Sequence, residues 1–544
     1  MTLGGSSWRK LTRREFLASC AASVAAAAWV GGCGRRRGGA VRILWTGDTH
    51  GQLAPIYHRD VYGVEFLREH GIAPGSVEAY LTSSEEYVGL AHRYGKVGGY
   101  AHLAALVEQE RSAYPERTLL LDAGDAWYGS AIALLTEGSA VVEVMNALRY
   151  DAMTLHWEFN LGKEILLARV RQARFAVLAQ NLVDTEFEER PLRASIVRDL
   201  DGVRVAVVGQ AYPFSLLTTE RREINPGWRM GYREDALQEE VRRVRAQEGA
   251  EVVILLSHMG YPQDKVFAER LEGVDVIVGG HTHDILWKPA RVGNTLIVHA
   301  GSHGKFLGRL DLEVRGGKVV GYRHALLPVV AGLVEPDRRV QELVDKIYQP
   351  YRAVLGRVVG ETRSLLYRRQ LFGGPTDGFL AQAYREIVGA DLGCVPGWRF
   401  GTTVLPGPIR VEDVYNAMKP TPTPLYRVQL RGRTVRQLLE DNLDNVFNED
   451  PLQRLGGDVL RCAGLRVWFR RRAEKGGRIV RIEANGRAVQ EDEVYTVATS
   501  GGRTQYLDPQ AYATQRPAVE ELVRYLEQRR VIEAQPPRAF VEVT

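Results

Sequence analysis

The chain has 544 residues, 45% hydrophobic and 25% charged, with 56 Gly and 23 Pro, which excludes collagenous, disordered and membrane-spanning classes. At about 150 residues per domain the length allows two to four domains, each able to bury a core. The formal charge of +5 is concentrated in residues 1–40, where seven Arg and Lys stand against Glu15 alone; this surplus of six leaves the remainder at −1, so no basic footprint for nucleic acid exists.

Residues 1–40 read as an export leader and linker. Thr12-Arg13-Arg14-Glu15-Phe16-Leu17 resembles the twin-arginine consensus, and the apolar run from Leu17 to Val30 is shorter than the about 20 residues that span a bilayer. This order predicts export of an already folded chain to the periplasm. Val30-Gly31-Gly32-Cys33 has the form of a weak lipobox, making Cys33 a candidate lipid anchor, with a small-residue cleavage site nearby as the alternative; Gly34–Gly39 would be a flexible tether. Beyond the leader only Cys394 and Cys462 remain. Their spacing argues against a disulfide framework, a structural zinc site or covalent haem, and leaves a single disulfide open.

Next come β-type runs at Val41–Trp45, Thr118–Leu121, Ala176–Ala179, Val203–Val208, Val252–Leu256 and Val274–Val278, with helical periodicity in Tyr100–Tyr114 and Tyr232–Glu248. The alternation predicts stacked α/β layers over residues 41–330, with chemistry on loops at strand ends. A hinge at Leu326–Pro336 leads into a charged linker helix over Arg338–Leu355, within residues 331–355. A second α/β region, 356–544, is expected to carry helices near Asp377–Val388 and Arg433–Leu443 and strands near Leu425–Leu430, Leu465–Phe469 and Val494–Thr499.

Five segments present Asp and His, most of them at strand ends: Gly47-Asp48-Thr49-His50, Gly124-Asp125, Leu155-His156-Trp157-Glu158, Ser257-His258 and Gly279-Gly280-His281-Thr282-His283. Mixed imidazole and carboxylate donors suit Mn, Fe or Zn, and a shared carboxylate can bridge two ions about 3.5–4 Å apart. A lone His at a strand end is usually a core or capping residue; five such segments in fixed order are not.

This ordered set resembles the calcineurin-like metallophosphoesterase superfamily, in particular the exported nucleotidases with a second C-terminal domain. The resemblance covers nearly the whole mature chain, including Val97–Ala101 and Ala300–Lys305. It implies a four-layer α/β/β/α sandwich followed by a 5'-nucleotidase-type α/β domain. It further implies one ion held by Asp48, His50, Asp125 and His283, and a second by Asp125, His156, His258 and His281, with Asp125 bridging.

Nucleotidases carry Gly-Asn-His-Glu where this chain has Leu155-His156-Trp157-Glu158, so His156 takes the Asn ligand position and Trp157 replaces the His that assists departure of the alcohol. The SoxB family of sulfur oxidation shows the same His-Trp-Glu segment. Pro396–Thr403 and Asp450–Arg461 also look like SoxB segments rather than the nucleotidase base-binding loop. Leu155 stands where a Gly is usual, which bears on the backbone beside the second ion.

The SoxB resemblance implies a periplasmic, monomeric hydrolase with two divalent ions, manganese by family habit, that cleaves the sulfonate from a cysteine S-thiosulfonate on the SoxYZ carrier. Asp125, His156 and Arg399 are its candidate catalytic residues, and Arg399, Trp157, Asp458 and Arg461 its candidate substrate contacts. Arg399 has a surface ion pair as its plain alternative, and Asp458 with Arg461 an internal salt bridge. Gln180-Asn181 is read as orienting loops near the site. Two other functions compete: a 5'-nucleotidase or nucleotide-sugar phosphatase, and a carrier-binding metal protein without turnover.

Overall fold

The computed structural model describes residues 38–543 except 220, 419, 420 and 503; the leader, Cys33 and most of the tether lie outside them. Among the described residues no helix is long and apolar enough to cross a membrane.

Two six-stranded sheets form the N-terminal half. The first runs Lys318–Pro328, Phe306–Arg315, Gly38–Thr46, Thr118–Asp122, Ala152–Met153, Ala176–Val177; the second runs Ala290–Val292, Thr295–His299, Val276–Gly279, Val252–Ser257, Val203–Gln210, Ser195–Leu200. The inner strands pair in parallel, so successive connections emerge at one edge. Parallel strands covered on both faces read as continuous apolar runs, and Val252 to Leu256 are all fully buried.

Alternation along that strand separates the layers. Val252, Ile254 and Leu256 join the core shared with the first sheet, while Val253 and Leu255 pack outward on Leu237, Val241 and Val244 of helix Glu234–Ala246 and on Phe267 of helix Tyr261–Arg270. Helices Tyr100–Ala113 and Ser139–Leu148 belong to the first sheet's core. The result is the expected α/β/β/α sandwich.

The C-terminal half is built on a five-stranded sheet, Asp458–Ala463, Leu392–Gly397, Val494–Thr499, Pro424–Arg431, Tyr512–Pro517, with a four-stranded and a three-stranded sheet beside it. Its buried residues form their own cores, which Ala131 joins from across the seam, while half-buried Leu365 and Leu405 pack back on the N-terminal core.

The linker differs from expectation. One helix over Arg338–Leu355 becomes two, Arg338–Tyr348 and Arg352–Leu355, because Pro350 falls between them and Pro interrupts a helix interior. The first helix sends Val340 and Val344 into the N-terminal core and the second sends Leu355 into the C-terminal one. The hinge also starts later, since strand Lys318–Pro328 carries on through Leu326.

Candidate metal centre

The parallel topology places the donors. Asp48 and His50 follow the strand ending at Thr46, Asp125 the strand ending at Asp122, and His156 the strand ending at Met153; His258 follows Ser257, and His281 and His283 follow Gly279. Two stacked sheets sharing one C-terminal edge therefore bring seven side chains together from distant sequence, as open α/β sheets do with their ligands. All seven are buried, between 0% and 8% exposed.

Five of the seven sit in strained backbone. Asp48, His50, Asp125, His281 and His283 have φ of 51°, 51°, 57°, 75° and 59°, a region that costs a non-glycine residue about 1–2 kcal/mol. Backbone hydrogen bonds hold them there: Asp48 N–H donates to Gly124 O, His50 N–H to Asp125 O and His303 N–H to Asp48 O, each at 2.8 Å. Gly124 and Gly280 are small by need, since a Cβ would lie 2.7 Å from His258 Nδ1 at the former and 2.9 Å from Asp48 Oδ2 at the latter.

Donor spacing fits two ions. His50 Nε2 is 3.1 Å from His283 Nε2, which lies 3.3 Å from Asp48 Oδ1. Asp125 Oδ2 is 3.0 Å from His156 Nδ1 and 3.3 Å from His258 Nε2. Metal–ligand bonds of about 2.0–2.2 Å put neighbouring donors about 3.0–3.5 Å apart. Three overlapping groups result, Asp48 with His50 and His283, Asp48 with Asp125 and His258, and His156 with His258 and His281. Asp125 thus stands between the two ends of the cluster.

Hydrogen bonding points the same way. His258 Nδ1–H donates to Ala123 O, which turns Nε2 toward Asp125 and Asp48, and that nitrogen has no hydrogen-bond partner among the described residues. Burial lowers the imidazoles of His50, to about 4, and of His156, His281 and His283, which favours neutral rings, the form in which imidazole ligates a cation. Burial would lower His258 too, but Asp125 and Asp48 carry it up to about 9. Burial lifts Asp48 to about 8; it opposes ionisation of Asp125 as well, yet His156 and His258 hold that carboxyl well below the usual range. Neutral imidazoles facing crowded carboxylates are a site that a divalent cation completes.

The donors open into a cavity of about 480 Å³ walled by both halves of the chain. His50, Asp125, His156, His281 and His283 form its floor; Trp398, Arg399, Phe400 and Asp458 come from the C-terminal half. Arg399 Nη2 lies 3.3 Å from His281 Nε2, so its guanidinium stands beside the His281 end of the cluster. Trp157 packs tilted on Phe400 at 5.4 Å and edge-on to Trp398 at 5.7 Å, and sits 5.3 Å from His50.

Arg461 is placed otherwise than expected. Its side chain is fully buried, ion-paired with Asp458 at 3.3 Å and facing Asp377 at 3.6 Å, and it donates to the Gln370 and Val459 carbonyls. It braces the wall from behind and does not line the cavity, whereas Asp458 does. The internal salt bridge is the reading that the geometry selects for this pair.

The family of the C-terminal domain of 5'-nucleotidase matches residues 358–508. Among solved structures, the sulfate thiohydrolase SoxB of Thermus thermophilus, in complex with glycerol, is 32% identical with a TM-score of 0.88, covering 92% of this chain and 96% of that one. The chain belongs to the SoxB family. Within the same superfamily, a 5'-nucleotidase precursor, also of Thermus thermophilus, is 25% identical with a TM-score of 0.78, covering 93% of this chain and 99% of that one. The trifunctional nucleotide phosphoesterase YfkN of Bacillus subtilis is 29% identical over 440 residues, 70% of this chain but only 29% of its own length. This SoxB-family chain is therefore a metal-dependent hydrolase of the 5'-nucleotidase superfamily.

The Leu155 departure costs the SoxB-family backbone little. Leu155 is fully buried in the core and is not among the residues of positive φ, and its carbonyl accepts from Tyr212 N–H. Glu158 has a role that its motif alone does not reveal: its carboxylate accepts from Ala126, Trp127 and His156 N–H and ties the Asp125 loop to the His156 loop. Gln180 donates to Gln210 Oε1, and Asn181 exchanges bonds with Ala211, so both orient the loop after Gln210 and neither is a donor to the cluster.

Sequence reasoning missed the seam between the halves. Arg369, from the C-terminal half, donates to His283 O at 3.0 Å and pairs with Asp60 at 2.9 Å; Lys305 reaches Asp60 from the other side at 2.6 Å. Burial opposes ionisation of Asp60, but Arg369 and Lys305 hold its carboxyl far below the usual range. Asn416 likewise crosses the seam, accepting from Ala131 N–H and donating to Gln52. These residues stand in segments without periodicity, and only the Lys305 match in the Ala300–Lys305 segment gave a signal.

Proposed function

We propose that this protein hydrolyses the terminal sulfonate of a cysteine S-thiosulfonate on a carrier protein, SoxYZ by family resemblance, releasing sulfate. The observation that carries the reading is Trp157, with Phe400 and Trp398, at the place where a phosphomonoesterase needs a histidine. Hydrolysis of a phosphate monoester expels an alkoxide, which profits from a proton donor. In the proposed reaction water adds to the terminal sulfur and the S–S bond breaks with its electron pair on the inner sulfur. Carrier-S-S-SO3⁻ and water give carrier-S-S⁻, sulfate and two protons. A persulfide is a far better leaving group than an alkoxide, so an indole at position 157 is no handicap.

The chain's residues divide the work. Asp48, His50, Asp125, His156, His258, His281 and His283 would hold two divalent ions, manganese by family habit. Such ions, when bound, acidify water and draw charge from an anionic substrate. Arg399 supplies a fixed cation to the sulfonate oxygens, as guanidinium groups do for planar or tetrahedral anions. Trp157 and Phe400 shield the donors from bulk water, and Asp458 turns the wall outside them polar. Export by the twin-arginine route to the periplasm, monomeric state and a lipid at Cys33 belong to the same proposal.

A nucleotide phosphomonoester is the second reading, favoured by the length of the cavity, which continues past the donors to Gln437, Asp441 and Tyr506. The rings next to the donors argue against it, because they pack on one another and do not stand apart as two faces for a base. The test is kcat/KM of one metal-replete preparation on thiosulfonated carrier and on AMP. Sulfate release far exceeding phosphate release is expected; efficient AMP cleavage with untouched carrier replaces the proposal with the second reading.

A further inference from the structure

We infer that Cys394 and Cys462 form a cross-strand disulfide in the oxidised protein, and that it fixes the wall carrying Arg399. The two residues face each other across the antiparallel strands Leu392–Gly397 and Asp458–Ala463, in direct register. Opposed residues in such a pair have Cα atoms about 4.5–5.5 Å apart, inside the about 4.4–6.8 Å that a disulfide spans. Their Sγ atoms are 3.2 Å apart, both are free thiols, and both are buried in the core beside Leu392 and Val459. Neither belongs to a donor cluster among the described residues.

The position gives the bond a task. Register holds through Val395 opposite Arg461, then slips before Gly397, and such a bulge redirects the chain beyond it. Trp398 and Arg399 follow at once, while Gly456, Gly457 and Asp458 open the facing strand. The pair therefore sits directly behind the irregularity on which the aim of Arg399 depends.

Closure is a thiol–disulfide exchange. Two thiols and one small-molecule disulfide give the protein disulfide and two small-molecule thiols; the protein loses two electrons and two protons, and the small disulfide gains them. The Cys394 contact and burial push the Cys462 thiol up, so exchange is slow at neutral pH and faster in mild alkali.

The test treats the purified full chain with oxidised glutathione, quenches with acid, unfolds it in guanidinium and alkylates it without reductant before peptide mapping. The expected result is no alkylation at Cys394 or Cys462, one joined peptide lighter by two hydrogens, and a Tm that falls roughly 5–10 °C on reduction. The double variant Cys394→Ala with Cys462→Ala should show no Tm response to oxidant. Alkylation of both residues after oxidation, or a bond from either to Cys33, overturns the inference. Mapping uses no turnover, so its failure leaves the proposed substrate standing, and loss of that substrate leaves the mapping intact.

Discussion

The floor of the cavity and its C-terminal wall face the same space but are held in different ways. The floor donors sit on strand ends, almost wholly buried, five of them in left-handed backbone that hydrogen bonds and close-packed glycines enforce. The wall residues Trp398 and Arg399 are half-buried, on a loop after a slipped strand pair. Strain of this kind persists only where the surroundings over-determine it, so the floor is preorganised and tolerates little change. Under the proposed function, the wall is where chemistry common to a superfamily meets a particular substrate. Fold alone does not decide function; under the proposed function that part falls to Trp157, Arg399 and Asp458.

Substitutions at each place sharpen this contrast. The largest effect should follow Asp125→Asn in the floor: elemental analysis should find less than two metal equivalents per chain, and sulfate release should fall about 10³-fold or more, since the bridging carboxylate serves both ions. Two retained equivalents with full activity would remove Asp125 from that role. In the wall, Arg399→Ala should lower sulfate release by roughly 10²–10³-fold with metal content unchanged, the loss typical of one anion-stabilising donor. A drop in metal content would instead make Arg399 part of the floor.

The seam lies between these limits. Arg369→Ala removes the donor to His283 O and one of two cations on Asp60, so calorimetric titration should show metal affinity weaker by about 10–100-fold. Thermal unfolding should show about 3 kcal/mol of lost stability, because a buried partner is deleted. Unchanged affinity would mean that the C-terminal half does not support the donors. The smallest effect is expected for Trp157→His, with sulfate release within a few-fold of wild type and a measurable rise in AMP hydrolysis; a collapse of sulfate release would give the indole a direct part in turnover.

Most of the floor was legible in sequence because Asp48, His50, Asp125, His258, His281 and His283 follow apolar runs that read as strands, and parallel strands deliver their ends to one edge; the strand before His156 is only Ala152–Met153, too short to read, and that donor rests on the family resemblance. The linker reads as one helix over Arg338–Leu355, although Pro350 within it carries the signal for the break that the structure shows. Arg461 was legible only in part: its salt bridge with Asp458 was the alternative that the sequence offered, whereas its burial against Asp377, a partner 84 positions away, leaves no local mark. Arg369, Asp60 and Asn416 were invisible for a related reason. Their partners across the seam lie from 86 to 364 residues away, and no local period marks a contact of that length. Glu158 stood within a recognised motif, yet its three backbone donors come from two loops that only the folded chain brings together.

Under the proposed function, water breaks the terminal S–S bond of a thiosulfonate at this site. Turnover of thiosulfonated carrier in 18O-labelled water tests it most directly, with the released anion read by mass spectrometry. The proposed reaction gives sulfate carrying one solvent oxygen and an unlabelled carrier persulfide. Release of thiosulfate, or of sulfate without solvent oxygen, would contradict it.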